Sequence, residues 1–375
     1  MAMTGLLING RFLSRPATGV DRTASELVRA LERRRQAGAP FTLSIAVPAD
    51  GPADEEIRRR LALGQDCAIH RSHFRGYAWE QLVLAFVARR DSLVSLCNMG
   101  PVLRRRQLVL IHDTQVHDVP ESYNRAFRLT YRLLQPWLAR RAQSIATVSQ
   151  HSAQRLQHHG IGGARHFAVL PNGIDHFDAI AADEAILPRL GLMPGGYLLA
   201  IGAKARHKNI AMLIAAYRAW SGHKPPLVLV GAPWPEIEQN APDLIWTDRV
   251  SDGELKALYS GARLFLLPSL TEGFGLPALE AMACGCPVLT SHAGALSECC
   301  GDAAAYCAPD DAPGWTATMV QLADQPQKLA TMRKAGLAQA ALFRWDVTAA
   351  LMLRLLDETA LSAPGAQPDI CLAQG

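Results

Sequence analysis

No apolar stretch of the chain approaches the roughly 20 residues that cross a bilayer, and residues 1–11 lack a basic segment followed by a long apolar one. A transmembrane or secreted protein is therefore a poor reading, and a cytoplasmic location is expected. The eight cysteines, at 67, 97, 284, 286, 299, 300, 307 and 371, form neither a C-x-x-C pair nor a dense framework. That excludes zinc ribbons and disulfide scaffolds and predicts reduced thiols. D-x-D occurs nowhere, which weakens any chemistry built on a divalent cation. No repeat of 20 to 50 residues is visible, so solenoids and propellers fall away. The first 185 residues hold no lysine, and no lysine elsewhere lies in a setting that suggests bound pyridoxal phosphate.

The chain has 375 residues, 49% of them hydrophobic, enough for two domains with substantial cores. Its net charge of +4 hides an asymmetry. Residues 1–185 carry 24 arginines against 17 acids, a net of +7, while the remainder has 14 basic residues against 17 acidic ones, a net of −3. Arginine triplets at 33–35, 58–60 and 104–106 suit either an anionic membrane surface or phosphate-bearing acceptor, or solvated helix faces. Nucleic acid is not expected, because no aromatics are interleaved with the triplets and no zinc-finger or RNA-binding signature is present.

Short apolar runs alternate with helical patterns along the whole chain, the rhythm of parallel sheets covered by helices. Strands are predicted at 5–8, 42–47, 93–96, 108–111, 144–148 and 167–170, with helices at 22–35, 77–89 and 123–141. A polar passage at 175–196 reads as a linker. The second half restarts with strands at 197–201, 227–230, 244–246, 264–267 and 288–290 and helices at 209–220, from Ser251, at 277–284 and from Pro313 onward. Ser251 and Glu254 form an S-x-x-E capping box. Two doubly wound α/β domains follow, at 1–185 and 186–345, with a helix and tail at 346–375.

Ligands in such sheets bind outside the carboxyl ends of the strands, so the loops there carry the chemistry. The loop from Pro268 to Pro277 leaves a strand and opens a helix. Gly273 and Gly275 let backbone amides approach a ligand, and Pro277 suits a first helical turn. A phosphate is the natural guest of such a helix start. Glu272 lies beside that anion pocket, and Glu280 follows one turn into the helix. Two carboxylates flanking one anion site describe a sugar nucleotide, the carboxylates accepting from vicinal hydroxyls. The loop 202–209 brings Lys204, Arg206 and Lys208 to another helix start, where fixed positive charge can hold a leaving diphosphate. His112 directly follows an apolar strand. It is placed to donate a hydrogen bond to a sugar hydroxyl, to carry a proton, or simply to serve the structure. Asn172-Gly173 reads first as a tight turn.

These residues resemble the family 4 retaining glycosyltransferases of the GT-B fold, which carry a Glu, seven residues, then a second Glu after a Pro-Ser strand end; here these are Glu272 and Glu280. The likeness continues through Thr18-Gly19-Val20, His112-Asp113, Thr147-Val148-Ser149, Pro171-Asn172-Gly173-Ile174-Asp175, Lys208-Asn209 and Val250-Ser251-Asp252 with Glu254-Leu255. It implies two Rossmann-like domains facing a central cleft, an acceptor on the first and a nucleotide sugar on the second, with the last helix crossing back to the first. By that resemblance Glu280 holds the ribose, and Glu272 with the backbone of Gly273, Phe274, Gly275 and Leu276 holds the donor sugar. Lys208, seconded by Arg206, takes the diphosphate, while Arg249 and Val250 border the base. His112 and Gly19 reach the donor from the other domain. His112, Lys208 and Glu272 are then the catalytic set.

The implied reaction is metal-independent transfer of a hexose with retention, without a cofactor, in cell-surface polysaccharide synthesis. Mannose from GDP-mannose is the first expectation, before a UDP-hexose. The acceptor expected is a saccharide or a polyprenyl-diphosphate-linked saccharide, at the inner face of a membrane. Departures from the family pattern are Thr18-Gly19 in place of a Gly pair, Asp248 before Arg249, and His207 before Lys208. A nucleotide-sugar epimerase of the same fold and a non-catalytic carbohydrate-binding relative are the alternatives.

Overall fold

The computed structural model describes residues 5–15, 18–234 and 243–361. The chain divides into two compact units, residues 1–173 with 344–375, and residues 174–343. Each is organised on one parallel sheet.

In the first unit β1 (Leu6–Asn9), β2 (Leu43–Val47), β3 (Ala68–Arg71), β4 (Ser92–Ser95), β5 (Gln107–Leu110), β6 (Ser144–Thr147) and β7 (Ala168–Val169) lie in the order 3-2-1-4-5-6-7. In the second, β8 (Leu198–Ile201), β9 (Leu227–Val230), β10 (Leu244–Trp246), β11 (Leu264–Leu267), β12 (Val288–Ser291) and β13 (Ala305–Cys307) lie in the order 10-9-8-11-12-13. Strands such as β1, β5 and β11 are buried along their whole length, as a sheet covered on both faces requires, and they read as continuous apolar runs for that reason. β3 and β13 escaped the sequence reading. β3 is a largely exposed edge strand of sequence Ala-Ile-His-Arg, and β13 has only three residues, so neither shows an apolar run.

The passage 175–196 is not a linker. Phe177, Ile186 and Leu187 are buried, and Lys256 Nζ donates to the carbonyls of Phe177 and Ile180 at 2.7 and 2.8 Å. Its polar spacing hides four apolar anchors, Leu192 being the fourth, and the second unit begins at Ile174 rather than at 186. The predicted helix at 77–89 is an irregular stretch, Gly76–Ala78 and Leu84–Val87 being α-helical around a π turn at Trp79–Val83. Helix Trp345–Leu361 belongs to the first unit, where it packs on helix Gly19–Gln36 and buries Trp345, Ala349, Met352 and Leu355. Thr359 Oγ1 and Ser144 Oγ hydrogen-bond at 2.9 Å at its far end. The tail from 362, with Cys371, lies outside the described residues; the seven other cysteines are free thiols. Among the described residues no helix is long and apolar enough to cross a membrane.

Trp345 is 1% exposed. Trp345→Ala is expected to lower the stability of the first unit by about 3–5 kcal/mol, measured by denaturant unfolding, since it leaves the largest side chain of this seam as a cavity.

Candidate functional site

Where the strand order of a parallel sheet reverses, the two loops leaving the carboxyl ends diverge and leave a crevice. In the second sheet the reversal lies between β8 and β11, so the loops 202–209 and 268–276 flank it. The first of these ends in the 3₁₀ turn Arg206–Lys208, after which Asn209 adopts a left-handed conformation with φ of 58° before helix Ile210–Ala219. Asn tolerates that conformation, and its side chain uses it: Nδ2 donates to the carbonyls of Pro268 and Pro309 at 3.1 and 2.6 Å. The loops after β8, β11 and β13 are thereby joined. Leu270 N donates to His207 O at 2.7 Å, a second tie between the first two.

These ties bring Lys208 Nζ to 2.6 Å from Glu272 Oε1, with the two side chains 22% and 8% exposed. Ser269 Oγ donates to the same oxygen at 2.8 Å. Ser291 Oγ holds Ser269 O at 2.6 Å, and Ala295 N holds Glu272 O at 2.9 Å. A buried carboxylate needs such partners, and here they fix its position from two strand ends. Gly294, at φ of 67°, lies so close behind Glu272 that a Cβ there would run into its backbone N and O.

Gly275, at φ of 103°, starts helix Leu276–Ala283, with Pro277 in the first turn. Pro277 has no N–H, and the amides of Ala278 and Leu279 donate to Gly275 O at 3.0 and 3.4 Å, which leaves the Leu276 amide as the one without an intrahelical partner in that turn. Gly273 and Leu276 are half-buried. The Phe274 side chain is buried edge-on against Phe343, ring centroids 5.6 Å apart, so only its backbone is offered to a ligand. Glu280, expected on the same side of this helix, is buried, with His176 Nε2 3.6 Å from its Oε1. His176 comes from the 3₁₀ turn Asp175–Phe177 and its side chain is 5% exposed. Arg206 is exposed on the turn that carries Lys208. Arg249 is exposed and Val250 half-buried at the end of β10, two strands from β8, behind Asp248 at φ of 58°. His207 is buried with no partner for Nδ1 among the described residues; burial and then the charge of Lys208 push its pKa down.

His112 and Gly19 stand in the first unit. Gly19 is the exposed first residue of its helix, and a Cβ on it would meet nothing within 4 Å. His112 is buried, and its Nε2 lies 2.7 Å from Leu96 O. A carbonyl only accepts, so Nε2 carries the hydrogen and Nδ1 of the neutral ring is an acceptor. Burial holds the ring neutral, with a pKa lowered to about 4. The neutral ring therefore has no hydrogen left to donate to a sugar hydroxyl, and the expected donor role is corrected.

The strand reversal of the first sheet, between β1 and β4, holds a cavity of about 330 Å³ including its open mouth, lined by Asn9, Arg11, Arg15, Tyr77, Glu80 and Tyr131 among others. Arg11 pairs with Glu80 at 2.6 Å and lies over the Tyr77 ring at 3.8 Å, while Arg15 pairs with Asp21 at 2.7 Å. Two cations thus meet two carboxylates. Sequence reasoning missed this pocket and His176, and it named Asn209 and the Pro-Ser strand end without giving either side chain a role; Asn9, at the end of the first apolar run, was the available signal for the pocket.

A family model described as "Glycosyl transferases group 1" matches residues 195–325, the stretch from just before β8 to the end of the helix after β13. Residues 195–325 are a glycosyltransferase group 1 domain. The group 1 domain contains the whole Lys208–Glu272–Glu280 arrangement. O-antigen chain mannosyltransferase RfbU of Salmonella typhimurium is 28% identical over 235 residues, 60% of this chain and 64% of the relative. O-antigen chain mannosyltransferase B of Escherichia coli is 37% identical over 175 residues, 43% of this chain and 45% of the relative. The chain thus spans about half to two thirds of the length of these relatives. Sucrose-phosphate synthase from Thermosynechococcus elongatus has the same fold, with a TM-score of 0.72 over 96% of this chain and 100% of that one, at 19% identity. The fold is GT-B.

Two outcomes follow for the group 1 domain and its companion unit. Gly294→Ala should destabilise by about 2–3 kcal/mol in denaturant unfolding, because the added carbon collides with the backbone that carries Glu272. The His112 pKa is lower folded than unfolded, so the unfolded chain binds more protons between about pH 6.5 and 4. The stability from this group is fully present above 6.5 and is lost as pH falls toward 4. His112→Gln should flatten that part of the pH–stability curve.

Proposed function

We propose that the chain is a glycosyltransferase that moves a hexose, mannose from GDP-mannose in the first instance, to a saccharide acceptor with retention at the anomeric carbon. The observation that carries this reading is Lys208 paired with Glu272 at the start of the helix that bears Glu280, inside the group 1 domain. The mannosyltransferase names of the two relatives support the donor sugar. Glycosyl transfer separates charge as the sugar–phosphate bond breaks, and the diphosphate needs fixed positive charge as it leaves. Lys208, held beside Glu272, supplies a cation at the site and the Leu276 amide a partial charge, so turnover is proposed to need neither a metal nor a cofactor. Arg206 lies on the same turn and adds to the field. Glu272, aligned by Ser269, accepts from sugar hydroxyls, and Glu280 accepts from the ribose. Arg249 and Val250 border the base.

On the first unit, the pocket between β1 and β4 suits the acceptor. Its paired charges leave it without net charge, and Tyr77 and Tyr131 offer ring surface to the apolar face of a sugar. A saccharide carried on a polyprenyl diphosphate, in cell-surface polysaccharide synthesis at the inner face of the membrane, is the acceptor class proposed. Gly19, with open space above it, and His112 Nδ1 as an acceptor complete the polar set. No carboxylate is assigned as a nucleophile, and the departing phosphate oxygen takes the acceptor proton from the same face.

Incubation with GDP-mannose and a mannose-terminated oligosaccharide, followed by NMR, should show an α-linked product, and a chelator should leave the rate unchanged. An epimerised donor formed without acceptor would replace this reading by an isomerase. Lys208→Ala is expected to lower kcat by about 10²-fold, the loss that follows removal of one charge-stabilising contact. Glu280→Ala should raise the KM for donor, and near-normal kinetics in both variants would remove the assignment.

A further inference from the structure

The arginines of the first unit are used in two opposite ways. Several of the triplet side chains that suggested an anionic partner are occupied internally. Arg34 pairs with Asp346 at 2.7 Å, Arg35 with Glu32 and Asp66, and Arg58 and Arg104 donate to backbone carbonyls. Helix Arg125–Arg141 differs. It carries Arg125, Arg128, Arg132, Arg140 and Arg141 and no carboxylate in 17 residues. Among the described residues none of the Arg125, Arg128 and Arg132 guanidiniums is in an ion pair. One face is committed to the core through Tyr131, Gln135, Leu138 and Ala139. The other exposes Leu129, Leu133 and Trp137, at 60%, 58% and 61%, four residues apart and so on one stripe. At about 100° per residue, Arg125, Arg128 and Arg132 run along one flank of that stripe.

A second exposed pair adjoins the same core. Leu82 and Phe86 stand on the 76–90 stretch, and Gln81 ties that stretch to the loop of Leu103 by bonds of 2.9 Å to Gly100 O and Val102 N. Val102 and Tyr77 pack into the cluster beneath helix Arg125–Arg141. Leu82, Phe86 and Leu103 are each more than 65% exposed, and Arg89 lies over the Phe86 ring at 4.7 Å.

We propose that this face is a docking surface for an anionic lipid bilayer, the leucines and Trp137 entering the headgroup boundary while the arginines pair with lipid phosphates. Apolar side chains in a row beside cations are the chemistry of an interfacial helix, with indole at the depth where its ring and N–H are both accommodated. A second copy is the poorer occupant, because an isologous contact would set one row of arginines against another. RNA would pair with the arginines but leave the leucine stripe in water.

The test is sedimentation of the full chain with vesicles of phosphatidylglycerol and phosphatidylcholine in about equal parts, and with phosphatidylcholine alone. Binding to the anionic vesicles that weakens with salt is expected. L133S/W137S should bind at least tenfold more weakly, and R128Q/R132Q about thirtyfold, the factor for two charges at about 1 kcal/mol each. R59Q, on an exposed site of another helix, should bind as the parent does. All variants alter exposed or half-exposed side chains, and unchanged thermal unfolding confirms that they fold. The proposal is overturned by absence of vesicle binding, by equal binding of L133S/W137S and the parent, or by equal loss in R59Q. Dimerisation or RNA binding abolished by the same substitutions, without vesicle binding, overturns it as well. None of these readouts depends on sugar transfer, so its failure and that of the transferase reading are separable.

Discussion

The pairing of Lys208 with Glu272 is the constraint around which the second unit is arranged. A carboxylate that is 8% exposed cannot be left unpartnered, and its partner must come from a different strand end. That demands loops of set length after β8 and β11, held at a set separation by Asn209 and the Leu270–His207 bond. It demands a hydroxyl at Ser269, itself fixed by Ser291, and a residue without a side chain at Gly294. None of these four positions touches solvent chemistry directly. Each helps to hold the Lys208–Glu272 pair beside the start of helix Leu276–Ala283, the kind of fixed arrangement that electrostatic preorganisation requires.

Both crevices hold paired charges, and they differ in what stands beside the pairs. In the first unit Arg11 and Arg15 each have an acid, so the pocket between β1 and β4 is polar without being charged. In the second, Lys208 is paired with Glu272, exposed Arg206 shares its loop, and a helix starts beside them. Under the proposed function a neutral polyol suits the former and a diphosphate the latter. The same rule separates the arginines at the surface: those with an acid or carbonyl in reach are structural, and those on helix Arg125–Arg141 face outward.

Much of this was legible in the primary sequence for definite reasons. Strands buried on both faces must be apolar throughout, so β1, β5, β8, β9 and β11 announce themselves, and the Gly-rich loop before Pro277 marks a helix start suited to phosphate. Edge strand β3 did not announce itself, because an exposed strand has no reason to be apolar. The linker expected at 175–196 failed because its four anchors, Phe177, Ile186, Leu187 and Leu192, follow neither a strand nor a helix period.

Residue types and spacings along the chain were sufficient to specify two parallel sheets, the loops at the carboxyl ends of their strands, and the placing of Glu272 and Glu280 around one helix start. Those properties are local: each depends on a neighbour within a turn or a strand. What only the folded chain decided is which groups meet across long separations. Glu272 receives Lys208 from 64 residues away, Glu280 receives His176, and His112 loses its donor hydrogen to the carbonyl of Leu96. The fate of each arginine is of the same kind, because pairing is settled by distance in space, and sequence order does not encode that distance.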